Sequence, residues 1–159
     1  MKPSIHVFSA QTIAQVAAEP VPGPFTSAPF VVISIATPGD WPPPKVPDGD
    51  LCLGVLRLVF DDADQQIPVW GGAASGWVST SLFSPDQARH VWSFVTSHPE
   101  AQAILIHCGA GRSRSPGVAA ALSKVLLGHD QAWFDRYTPN RLVYRRLLEE
   151  AETMGLLGR

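Results

Sequence analysis

The chain has 159 residues, 45% of them hydrophobic and 16% charged, with a formal net charge of −2. That composition suits one ordinary globular domain over residues 1–159, with no overall basic footprint for nucleic acid and no apolar run near the length of a membrane span. Two cysteines are too few for a disulfide framework, and Met1–His6 opens no long apolar segment of the signal-peptide kind, so a cytoplasmic location is expected.

In chain order, Ile5–Phe8 reads as a strand, Gln11–Ala18 as a helix and Phe30–Ile35 as a second, β-rich strand. Thr37–Asp50 is proline-rich and reads as a loop within the domain. Cys52 opens a strand-like run that continues through Leu53–Phe60; it is expected to pack in the core, with a resolving role toward an oxidised partner as the other option. Three carboxylates, Asp61, Asp62 and Asp64, follow that strand. Trp70–Ser81, rich in glycine, alanine and serine, reads as a second internal loop, and Trp41, Trp70 and Trp77 are expected to anchor these segments rather than line a cleft. Ser84 and Pro85 form an N-cap and first helical position for a helix over Pro85–Ser97. Ala103–His107 is a fourth strand, Pro116–Leu127 a helix stopped by Gly128, Asp130–Arg136 a short helix with Trp133 and Phe134 expected in the core, and Arg141–Met154 the last helix. Strands alternating with helices predict an α/β fold, a central mixed, largely parallel sheet with helices on both faces. The five histidines are scattered, so neither a metal nor a cofactor is expected.

The segment Cys108-Gly109-Ala110-Gly111-Arg112-Ser113-Arg114 lies between the fourth strand and the next helix. A strand ending at Cys108 delivers a sulfur to the base of a tight loop, whose backbone N–H groups and following helix N-terminus form a nest for a tetrahedral anion. Inward amides, a helix N-terminus and a guanidinium all favour a thiolate nucleophile. Arg114 offers a planar fork for two phosphoryl oxygens, Gly109 and Gly111 suit positions of positive φ or close backbone approach, and Ser115 is placed to hydrogen-bond the sulfur as it leaves. The amides of Gly109, Ala110, Gly111, Arg112 and Ser113, with Arg114, are the expected phosphate contacts. His107, beside the nucleophile, is expected to orient the loop.

These residues carry a resemblance. His107–Ser115 resembles the signature loop of the cysteine-dependent protein tyrosine phosphatase superfamily, and its Gly-x-x-Arg-Ser ending is similar to the dual-specificity branch. Tyr137-Thr138-Pro139-Asn140 with Leu147-Leu148-Glu149 resembles the Pro-Asn segment and final helix of that branch, so the likeness runs roughly from Leu51 to Glu152 and leaves the first fifty residues outside it. Arg112, where many relatives carry an aliphatic residue or lysine, and Pro116 depart from the pattern. The resemblance implies a two-step phosphomonoesterase with a phosphocysteine intermediate. It puts a general acid after the third strand, at Asp62 by the strand-then-Asp pattern, ahead of Asp61 and Asp64 and with Asp86 behind them.

The implied substrate is phosphotyrosine, with phosphoserine or phosphothreonine beside it, in proteins, or else a small phosphate ester. Arg112, if it faces the pocket, favours a polyanion such as a phosphoinositide or nucleotide. A phosphate-binding module without turnover is the alternative outside enzymes. Sulfur transfer and arsenate reduction reuse the same strand, loop and helix, but rhodanese-type loops lack the Arg-Ser ending and arsenate reducers need more cysteines.

Overall fold

The computed structural model describes residues 2–19, 23–40, 42–64, 67–69, 76–78 and 81–158. In chain order the elements are β1 (Ser4–Ser9), α1 (Ala10–Ala18), β2 (Phe30–Ala36), β3 (Cys52–Val59), β4 (Ile67–Val69), β5 (Gly76–Val78), α2 (Pro85–Thr96), β6 (Ala103–Cys108), α3 (Arg114–Leu127), α4 (Gln131–Arg136) and α5 (Arg141–Thr153). The main sheet has the order β1-β6-β2-β3 and every pairing in it is parallel. The antiparallel component stands apart as the β4–β5 ribbon, whose second strand falls in the stretch expected to be loop. Residues 70–75 and 79–80 of that stretch, with Trp41 and the side chain of Trp77, lie outside the described residues.

Local signals account for the helix ends. Ser9 and Thr12 form a capping box at α1, and Ser84 and Gln87 form another at α2, where Ser84 Oγ accepts from the Gln87 N–H at 3.1 Å and Pro85 occupies the first turn. Gly128, at φ 85°, ends α3 in the left-handed conformation. The central strands β2 and β6 are buried almost throughout, which is why they read as continuous apolar runs rather than as alternating ones.

Alternation nevertheless decides which side each residue serves. Val31, Ile33, Ile35, Ile104 and Ile106 face a core built with Trp92 of α2, Leu122 of α3 and Leu147 of α5. Phe30, Val32, Ala103 and Leu105 face Ile13 of α1 and the chain around Phe25 and Leu51. The helix α3 is buried from Arg114 through Ser123, its Ala119-Ala120-Ala121 run allowing close approach. Gly117 shows how close: a Cβ there would stand 3.0 Å from the Asn140 carbonyl oxygen and 3.2 Å from Val143 Cβ, so the start of α5 rests on the first turns of α3. Trp133 packs half-buried, its indole donating to Ser123 Oγ at 2.7 Å. Phe134 departs from expectation: it is 40% exposed and meets Tyr144 edge-on, because α4 covers the core with one side only.

Two expectations about the sheet are settled by register. Phe30 pairs with both Cys52 and Ala103, so Cys52 sits at the end of the sheet opposite Cys108, about 16 Å off along the strands at 3.3 Å per residue and two strands across. No disulfide spans that distance, and a resolving role for Cys52 is withdrawn. Burial pushes the Cys52 thiol up.

His107 and Ser34, by contrast, are neighbours on adjacent strands and both are buried. The Cys108 carbonyl, 3.4 Å from His107 Nδ1, can only accept, which puts the imidazole proton on Nδ1. Nε2 then accepts from the Ser34 hydroxyl at 2.6 Å, and Ser34 Oγ accepts from Arg57 at 3.0 Å. Burial is the main reason the imidazole is lowered from 6.5 to about 4; the Cys108 carbonyl opposes the shift, and the charges of Arg57 and Arg114 add to it.

A folded-state value below the unfolded one means the unfolded chain takes the proton first as pH falls. The stability that neutral His107 contributes is therefore complete above pH 6.5 and is lost between 6.5 and about 4, up to about 3 kcal/mol. Urea unfolding of the parent and His107→Gln across that range checks this: the parent should lose stability faster than the variant, and parallel curves would contradict it.

Candidate active site

The chain leaves β6 at Cys108, which is 2% exposed, and re-enters regular structure at Arg114. Between them Gly111 adopts φ +70°, and a Cβ there would stand 2.8 Å from Ser9 N and 2.9 Å from the carbonyl of Phe8. Conformation and space both require glycine at that point. Its N–H donates to Cys108 Sγ at 3.2 Å, while Ser115 Oγ lies 3.0 Å from the same sulfur. Three of the loop carbonyls are satisfied by neighbouring elements. Gly109 O accepts from Ala10 N–H at 2.9 Å, Arg112 O from Thr138 N–H at 3.1 Å, and Ser113 O from both Gly117 and Asn140 N–H at 2.9 Å. The N–H groups of Ala110, Arg112 and Ser113 have no acceptor among the described residues. With those three carbonyls held by neighbouring elements and these N–H groups free, the loop has the donor arrangement of an anion nest.

Arg114 is 6% exposed although it carries a charge and sits at a helix N-terminus, where the macrodipole disfavours a cation. Its Nη1 donates to the Phe60 carbonyl and to Thr37 Oγ1, each at 2.9 Å. Nε is buried without a partner among the described residues. Nη2 lies against the loop, 3.4 Å from where a Cβ on Gly109 would be. One end of the guanidinium is thus fixed to the ends of β2 and β3, and its Nε–Nη2 edge is the edge suited to bidentate capture of an oxyanion.

The carboxylates sort themselves by partner. Asp61 Oδ2 accepts from Ser81 N–H, and its own N–H donates to Ser81 O, both at 2.8 Å, so it closes the ends of the 61–81 excursion. Asp86 is in the first turn of α2 and pairs with Arg89 at 3.1 Å. Asp64 faces a groove with Arg141 and Arg145. Asp62 alone of the four bonds the loop: its Oδ1 accepts from Ser113 Oγ at 2.7 Å and from Asn140 Nδ2 at 3.1 Å. The structure thus brings Ser115 to the Cys108 sulfur, Arg114 against the loop at Gly109 and Asp62 onto Ser113, while Ala110 and Arg112 are exposed.

Sequence reasoning missed Thr37, and it named Asn140 only within the Pro-Asn segment, without its contacts. Thr37 had no signal beyond opening a proline-rich stretch. Asn140 caps α5 through Val143 N–H at 3.0 Å, a position that its place before a helix could have revealed, and it also spans the gap to Asp62 and to the Ala63 carbonyl.

No protein-family model matches the chain, and no curated protein matches it in sequence. Solved structures do match it over nearly its whole length. Human tyrosine phosphatase-like serine/threonine/tyrosine-interacting protein superimposes with a TM-score of 0.61 at 15% identity, covering 96% of this chain and 93% of that one. Human DUSP28 gives 0.56 at 18%, covering 96% and 94%. PTPMT1, in a structure with PI(5)P, gives 0.52 at 11%, covering 96% and 92%. A parallel sheet with a Cys-x5-Arg loop between β6 and α3, superimposable on such proteins, has the dual-specificity phosphatase-like fold of the protein tyrosine phosphatase superfamily.

Proposed function

We propose that this chain is a cysteine-dependent, dual-specificity-like protein tyrosine phosphatase, a hydrolase of phosphotyrosine and of phosphoserine or phosphothreonine in proteins. The observation that carries the proposal is the buried Arg114 edge, anchored at Nη1 and unpartnered at Nε, over the loop that holds the Cys108 sulfur. A buried donor without a partner costs about 1–3 kcal/mol, and a phosphoryl oxygen satisfies it.

In the first step Cys108 Sγ attacks phosphorus, an S–P bond forms, the P–O bond to the leaving group breaks, and Asp62 gives that oxygen its proton. In the second, water attacks the phosphocysteine while Asp62 takes a proton from it, the S–P bond breaks, and the Ser115 hydroxyl stabilises the departing sulfur from 3.0 Å. Arg114 and the loop amides stabilise the charge on the equatorial oxygens in both steps. Asp62 serves from the rim because Ser113 and Asn140 both hold its Oδ1, which leaves Oδ2 to exchange the proton. DUSP28 and PTPMT1 support a phosphate-ester substrate through shared fold.

A kinetic panel tests the roles separately. Cys108→Ser is expected to abolish turnover of every ester. Asp62→Asn should slow a phosphoserine peptide on the order of a hundredfold and p-nitrophenyl phosphate far less, since a good leaving group needs little protonation. Equal losses on both would remove Asp62 from the acid role, and a parent inert toward both would leave a binding module.

Thr37 supplies the second check. Thr37→Val keeps the shape but withdraws one of the two acceptors of Arg114 Nη1. It should lower kcat/KM about tenfold, the cost of one hydrogen bond to a charged group. Thr37→Ser should retain the parent's value, and a Val variant as active as the parent would contradict the anchoring role.

A further inference from the structure

Arg57 on the edge strand β3 is the register partner of Ser34 on β2, and Ser34 is in turn the partner of His107 on β6. Their side chains form one line of hydrogen bonds across three strands, on the face that carries Val32 and Leu105. One end of the line only gives protons and the other only takes them. Arg57, exposed but reaching inward, gives one from Nη1 to Ser34 Oγ at 3.0 Å, and the Cys108 carbonyl takes one from His107 Nδ1 at 3.4 Å. Both ends impose the same direction, so every proton between them is committed. Among the described residues Arg57 has no ion-pair partner, so a surface salt bridge does not account for its inward reach. The carbonyl at the far end belongs to the nucleophile. Because the Cys108–Gly109 peptide is planar, the direction of its C=O sets that of the Gly109 N–H, one of the amides expected to meet phosphate.

We propose that Arg57, two strands away from the nucleophile, is a positioning residue for it: Arg57 commits the Ser34 hydroxyl proton to His107 Nε2, which keeps the imidazole proton on Nδ1 and the Cys108 carbonyl held. The proposal rests on the phosphatase reading above. Without the guanidinium, water reaches Ser34 Oγ, and water takes protons as well as giving them. Ser34 is then free to turn its own proton outward and accept from Nε2. The imidazole proton moves to Nε2, the Cys108 carbonyl loses its donor, and the Gly109 amide loses its fixed direction. Charge acts in the same sense, since burial first and then the guanidinium groups of Arg57 and Arg114 keep a second proton off the ring.

Long-range proton–nitrogen correlation spectra of the imidazoles at neutral pH read the tautomer, with His107 identified by its absence from His107→Gln. The parent should carry the proton on Nδ1. Arg57→Met should move a measurable share of it to Nε2 and lower kcat/KM for p-nitrophenyl phosphate about fivefold, the size of one hydrogen bond. Arg57→Lys, which keeps a donor without a lone pair, should restore both readouts. Ser34→Ala cuts the line beyond Arg57, so adding Arg57→Met to it should cost nothing further. A parent with the proton on Nε2, an Arg57→Met variant with the parent's tautomer or the parent's kcat/KM, or losses that add in the double variant overturn this inference, and the phosphatase reading stands if the parent hydrolyses p-nitrophenyl phosphate. A parent inert toward p-nitrophenyl phosphate overturns both.

Discussion

A guanidinium buried in the first turn of α3 is the constraint around which the other contacts of the site are organised. Taking such a charge out of water costs several kcal/mol, and the helix dipole adds to the cost at an N-terminus. Two acceptors offset part of it, the Phe60 carbonyl where β3 ends and the Thr37 hydroxyl where β2 ends. An arginine held this way welds the carboxyl ends of two parallel strands to the helix that follows a third, β6. It also leaves a charge looking for an anion at the mouth of the loop, so the same residue that ties the site together defines what the site accepts.

The loop itself is shaped by its surroundings more than by its own turn preference. Gly111 lies against the backbone of Phe8 and Ser9, where β1 runs beside β6 in a register that pairs Ser9 with Cys108. The first turn of α1 takes the Gly109 carbonyl, and the chain before α5 takes those of Arg112 and Ser113. With these three carbonyls held from both flanks, the Gly111 amide is left for the sulfur. Asn140 extends the brace to Asp62: its backbone holds Ser113, and its side chain holds Asp62 and the Ala63 carbonyl. Asp62 and the loop thus share a single support.

Much of this was legible before the fold was known, and the reason is locality. Apolar runs such as Ala103–His107 and caps such as Ser84-Pro85 act over a few residues, so the strands and helices of the main sheet fell close to their expected places. The Cys108–Arg114 loop is also local, so the proximity of Cys108, Arg114 and Ser115 could be read from one short segment. What depended on distant partners was not. Choosing Asp62 over Asp61 and Asp64 required a likeness to other proteins, because its partners Ser113 and Asn140 lie far along the chain. Thr37 was invisible for the same reason, its partner being 77 residues away. Phe134 was misjudged because a short helix at the surface shows only one side to the core. The antiparallel ribbon was missed because Gly76–Val78 is too short for a periodic pattern.

The central claim is that a phosphoryl group passes through the Cys108 sulfur while Arg114 holds its oxygens. Acid quenching of the enzyme during turnover of a phosphate ester labelled with radioactive phosphate, followed by peptide mapping, reads that claim directly. The account predicts acid-stable label on the peptide containing Cys108, raised in Ser115→Ala and absent from Cys108→Ser. Steady turnover with no label on Cys108, or turnover that survives Cys108→Ser, would contradict it.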